Sequence, residues 1–146
     1  MQDLPHHYVV SADAEAAGNV VLSSDGVADL ESAPPAEFGG PGDQWSPESL
    51  LVAAVADCFI LSFRAIARAS RLEWSSLSCK VEGTLERVEK VTQFTAFKVT
   101  ATLEVPADTD ASKAERLLEK AEHVCLITNS LKAESHLQAS VRVRAD

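Results

Sequence analysis

No lysine or arginine precedes Arg64: all 13 basic residues of this 146-residue chain stand from that position on, against 22 acidic ones, for a formal charge of −9. Nucleic acid is therefore excluded as an expected partner, because binding a phosphate backbone requires clustered Lys and Arg, and no basic run occurs. Cysteine is scarce, and none of the three forms a C-x-x-C pair, which removes the usual zinc and dithiol signatures. The only histidine near a cysteine, His123, precedes Cys125 by two positions, which point apart on a helix, so it reads as a solvated helix-end residue. Long apolar runs are missing as well. The most apolar stretch, Leu50 to Phe63, contains Asp57 and stops at Arg64, short of the ~20 residues of a membrane span, and is expected to be a buried helix. Met1 to Val10 lacks a basic segment followed by an apolar one, so no secretory signal and a cytoplasmic location are expected.

What remains is ordinary for a globular protein: 46% apolar and 24% charged residues, one domain over residues 1–146. A chain of this size buries roughly 68–70% of its unfolded surface, enough for a core without metal or disulfide staples. Short strands are expected at Tyr8 to Val10, Asn19 to Leu22 and Val27 to Leu30, separated by turn formers such as Gly18 and Asp25-Gly26. The prolines and glycines from Ala33 to Gly42 predict a shaped loop without regular structure. Ser46-Pro47-Glu48-Ser49 then spells a helix start: a serine N-cap, proline at the first helical position and an acid in the first turn. The helix runs to Ala69 or Arg71. Its first half has almost no polar face, which predicts burial on nearly all sides and, in so small a chain, a homodimer with this helix near its centre.

Leu77 to Val88 and Phe94 to Val105 alternate as the two arms of an antiparallel hairpin joined over Glu89 to Gln93. Asp108 to Asp110 opens a second helix, with Leu117, Leu118, Ala121 and Val124 at helical spacing, ending at Val124 or Cys125. Leu137 to Arg144 alternates as a last, half-exposed strand. The order βββ-α-ββ-α-β defines an α+β fold.

By composition alone Cys58, Cys79 and Cys125 read either as small core residues or as reactive thiols. The segment Ser46-Pro47-Glu48-Ser49 through Asp57-Cys58, a proline-glutamate pair followed ten residues later by cysteine, resembles the helix-opening motif of the OsmC/Ohr family, the osmotically inducible and organic hydroperoxide resistance proteins. Ala121-Glu122-His123-Val124-Cys125-Leu126-Ile127-Thr128-Asn129-Ser130-Leu131 resembles the family's second cysteine motif, and the element order agrees along nearly the whole chain. The resemblance implies an intertwined homodimer, two long central helices wrapped by antiparallel β-sheets, and a thiol peroxidase acting on organic hydroperoxides without a cofactor. Cys58 would be the peroxidatic thiolate and Cys125 the resolving thiol. A dithiol reductant, such as a lipoylated protein, would restore both. Cys79 has no counterpart in the motifs and stays a core thiol.

Family resemblance also assigns Glu48 to the active-site charges. Ten helical residues rise ~15 Å, so if Glu48 and Cys58 serve one site, Glu48 belongs to the partner subunit's copy of it. Otherwise it only decorates the helix N-terminus. The family's thiolate-stabilising arginine, in the N-terminal half, has no match here. His6, His7, Arg64, Arg68 and Lys132 are the candidate substitutes, Arg64 and Arg68 reading equally as solvated residues where the helix leaves the core. Without a cation, a thiol buried in mid-helix is expected to have a raised pKa. An alternative reading follows: a non-enzymatic dimer of this fold that binds a small apolar ligand between its subunits.

Overall fold

Ser46 begins the longest helix as its chemistry requires. Its hydroxyl accepts from the Ser49 N–H at 3.1 Å while the Ser49 hydroxyl accepts from the Ser46 N–H at 2.9 Å, a reciprocal cap in which serine takes the place usual for glutamate. The resulting α1 spans Pro47–Ala69. It ends where Arg71 turns left-handed (φ 56°) and the Leu72 N–H bonds back to the Ala67 carbonyl at 2.9 Å. This computed structural model describes residues 1–145. The chain divides into two units, Met1–Leu50 and Leu51–Asp146, the division falling inside α1.

The first unit holds an antiparallel three-stranded sheet, β1 (Ser11–Asp13), β2 (Val20–Ser23) and β3 (Leu30–Ser32), in the order β1-β2-β3. Three strands were expected, but the first and last pair further along the chain than Tyr8 to Val10 and Val27 to Leu30. These strands are short and little buried, so no apolar alternation fixes their register. The following loop is tightly folded and contains one 3-10 turn, Ala36–Phe38, despite its prolines and glycines. Gly40 permits the fold: a Cβ there would lie 1.7 Å from the Pro34 carbonyl oxygen.

The second unit pairs β4 (Ser76–Val88) antiparallel with β5 (Val91–Val105), and β5 parallel with β6 (Glu134–Val143). The antiparallel pairing expected throughout thus fails at β6. Helix α2 (Ala111–Val124) and a four-residue helix, α3 (Leu126–Asn129), lie between β5 and β6 and supply the crossover that parallel pairing needs. The β4–β5 turn is tighter than the expected Glu89 to Gln93. Glu89 (φ 49°) and Lys90 (φ 71°) form a two-residue turn of the type whose left-handed backbone matches strand twist. A bulge opposite Thr84 and Leu85 shifts the phase, and Leu85 comes out exposed.

Val55, Phe59, Phe63 and Ala67 form the buried stripe of α1. With Phe97, Val99, Ala101, Leu103 and Val105 of β5 and Ala114, Leu118 and Ala121 of α2 they make the core. Helix and sheet pack tightly at Gly83, where a Cβ would lie 2.9 Å from Val52 Cγ2. Asp110 caps α2, accepting from the Ser112 and Lys113 N–H groups at 3.0 and 3.3 Å. The Lys113 ammonium donates to the Ser70 carbonyl at 3.0 Å and ties α2 to the end of α1.

Two expectations about α1 change. Within one chain it is buried along one stripe, not on nearly all sides, and Leu61 remains 50% exposed. The helix has its expected extent, ending at Ala69, but at 23 residues it is long and apolar enough to cross a membrane by length and composition, where the run from Leu50 to Phe63 fell short. The same profile is met by core helices of soluble proteins, and here four of its side chains pack into the core beside the sheet residues.

Candidate functional site

Cys58 sits one turn before Ser62 on α1, its sulfur 3.8 Å from the Ser62 hydroxyl. It is flanked by the buried residues Val55 and Phe59 and is itself only half-buried, because it lies at the edge of the buried stripe. Cys125 is the hinge between α2 and α3, at once the last cap of one and the first cap of the other, and is 2% exposed. The Thr128 hydroxyl and the Asn129 N–H both donate to the Cys125 carbonyl, at 3.2 and 3.0 Å, and fix this hinge.

The hinge matters because the first N–H groups of a helix have no intrahelical partner. The backbones of Ile127 and Leu126, in that first turn, are among the groups that act on the Cys58 thiol. Burial pushes the Cys58 thiol up, but hydrogen bonds from the Ile127 backbone, the Cys125 side chain, the Ser62 hydroxyl and the Leu126 backbone together outweigh it, and the net pKa is lowered. The expectation of a raised value is therefore overturned. None of the substitutes Arg64, Arg68 and Lys132, all exposed, lines the site. His6 is engaged locally, with Nδ1 3.1 Å from the Tyr8 hydroxyl and Nε2 3.0 Å from the Gln2 carbonyl.

An open groove of 420 Å³ leads to Cys58, lined by Ala54, Asp57, Leu61, Ser62, Leu126 and Ile127. Its walls are mostly apolar. The structure thus brings together Cys58 and Cys125, 67 positions apart in sequence, and adds Ser62 and the two backbone donors. Those donors were missed because α3 is too short to leave an amphipathic pattern. Glu48 lies ten residues earlier on α1, and its Oε1 is buried without a hydrogen-bond partner among the described residues.

Cys79 faces the core from β4. Burial, and secondarily the neighbouring Cys125, raise its pKa to about 11, so it stays a protonated thiol. His123 is exposed, as expected for a helix-end residue, its carbonyl accepting from the Asn129 amide at 3.1 Å. Among the described residues no cluster of His, Cys, Asp or Glu is arranged to hold a metal.

The site is a half-buried thiol on an apolar groove, with a second thiol buried at the α2–α3 hinge of an α+β scaffold. Comparison places it: the family described as OsmC-like protein matches residues 40–140, and the chain belongs to that family. It is 31% identical over 115 residues to the uncharacterized protein YmaD of Bacillus subtilis (strain 168), covering 75% of each chain. An OsmC-like protein from Vibrio cholerae superposes with a TM-score of 0.85 at 17% identity, over 92% of this chain and 99% of the other. The organic hydroperoxide resistance protein OsmC of Legionella pneumophila, also described as a predicted redox protein, gives a TM-score of 0.74 at 26% identity, over 96% and 99%.

Proposed function

We propose that this chain is a thiol-dependent peroxidase that reduces organic hydroperoxides and works as a cytoplasmic homodimer, residues 1–146 forming one OsmC-like domain without a cofactor. The observation that carries the reading is the lowered pKa of Cys58 on an apolar groove, an effect to which the Cys125 side chain contributes. The Cys58 thiolate attacks the distal peroxide oxygen. A sulfur–oxygen bond forms, the O–O bond breaks, and the alkoxide takes a proton and leaves as alcohol. The Cys125 thiol then attacks the sulfenic sulfur, giving a disulfide and releasing water before a second peroxide can over-oxidise Cys58. A dithiol reductant, such as a lipoylated protein, reduces the disulfide by exchange.

Two features support the dimer: the uncovered apolar face of α1, including Leu61, and the unpartnered Glu48 Oε1, which calls for a donor that the described residues do not supply. Glu48 then belongs to the machinery as a charge held toward a partner's site. The alternative, an inert ligand-binding dimer, rested on the missing cation, and the backbone donors weaken it. The test is consumption of cumene hydroperoxide in excess dihydrolipoamide. Turnover by the wild type and none by Cys58→Ser is expected; equal, slow consumption by both refutes the proposal.

A further inference from the structure

Asp57 is the one charged residue in the apolar run from Leu50 to Phe63, and it is exposed, lining the groove beside Cys58. Within one chain it makes no ion pair among the described residues, and no Lys, Arg or His of that chain lines the groove. An acid on an otherwise apolar helix face contributes nothing to packing, and a helix of this composition would close the groove better with an alanine there.

Resting on the peroxidase reading, we propose that Asp57 sets substrate charge: the groove accepts neutral hydroperoxides and rejects those carrying a carboxylate close to the peroxide. The apolar walls take an alkyl or aryl body. Asp57 contributes a fixed negative charge that a second anion must approach. Two unit charges about 7 Å apart repel enough to cost about threefold in binding even at the dielectric of bulk water, and more beside apolar walls. Discrimination is therefore built by repulsion as well as by fit.

The test uses a matched pair, cumene hydroperoxide bearing a para-carboxylate and its methyl ester, which differ in charge while keeping the same distance from peroxide to substituent. The kcat/KM ratio of ester to acid is measured at low ionic strength, where the Debye length is about 30 Å. In the wild type the ester is favoured by threefold or more. Asp57→Asn cuts that preference at least threefold, and Asp57→Lys reverses it. Glu89→Gln, on the β4–β5 turn outside the groove, removes the same charge and leaves the preference unchanged. An unchanged ratio in both Asp57 variants, or an equal shift in Glu89→Gln, overturns the proposal. If neither substrate oxidises Cys58 in any variant, the peroxidase reading itself has failed and this inference falls with it.

Discussion

Leu126→Pro isolates the backbone donors that activate Cys58. Leu126 is the first residue of α3, where proline is well tolerated because that N–H has no helical partner, and its side chain is 66% exposed. The preceding Cys125 already has the extended conformation a proline demands (φ −61°, ψ 108°). The substitution therefore removes the Leu126 N–H, one of the groups that lower the Cys58 pKa, with the helix left in place. A hydrogen bond to a charged group contributes about 1.5–3 kcal/mol. The groove is open to water, and the Leu126 donor is the weakest of the four acting on Cys58, so about 1 kcal/mol is the reasonable figure, roughly fivefold in thiolate population. Thiolate is the nucleophile, and a lowered pKa makes it available at lower pH, so losing the donor moves the profile toward higher pH. Iodoacetamide alkylation of Cys58, followed across pH by mass spectrometry, reads this directly. The expected result is a fivefold slower reaction on the acid side of the profile, converging with wild type at high pH, with an unchanged melting temperature. Superimposable profiles from a folded variant would refute the role of the α3 backbone.

Three further outcomes follow from the packing and the titrating groups. Phe63→Ala removes a fully buried ring that meets Trp74 edge-on at 5.5 Å, and should cost about 4 kcal/mol, seen as a fall of about 10 °C in melting temperature by calorimetry. Glu122 has a raised pKa, chiefly from burial and against the opposing pull of His123, Ser135 and His136. Folding then favours its protonated form, so stability falls as pH rises from the ordinary carboxylate value through the raised one. Glu122→Gln should melt higher than wild type at neutral pH and lose that advantage in acid, as thermal scans at the two pH values would record. Cys79→Ala should leave peroxide consumption within twofold of wild type, and Cys79 should resist iodoacetamide at neutral pH while Cys58 is alkylated, because its thiol stays protonated.

The residues that announced themselves in the sequence are those whose local chemistry leaves little choice. Ser46 and Pro47 fixed the start of α1, and the alternation on β4 and β5 located the hairpin, because capping and two-sided burial are local signals. The first sheet was misplaced by a few residues since its short, exposed strands carry no such signal. Parallel pairing of β6 depends on which sheet edge the chain reaches after α2 and α3, a tertiary choice invisible in β6 itself. At the site, the two cysteines were legible only as a pair of motifs. The direction of the Cys58 shift was not legible at all, because the donors come from the backbone of Ile127 and Leu126, where side-chain identity says nothing.

The central claim, that Cys58 and Cys125 act together on a peroxide, is tested most directly by mixing the reduced protein with one equivalent of cumene hydroperoxide, quenching within seconds and mapping cysteine oxidation by mass spectrometry. The account predicts a disulfide between Cys58 and Cys125 with Cys79 still reduced, and sulfenic acid at Cys58 in the Cys125→Ser variant. Free thiols at both positions after minutes would contradict it.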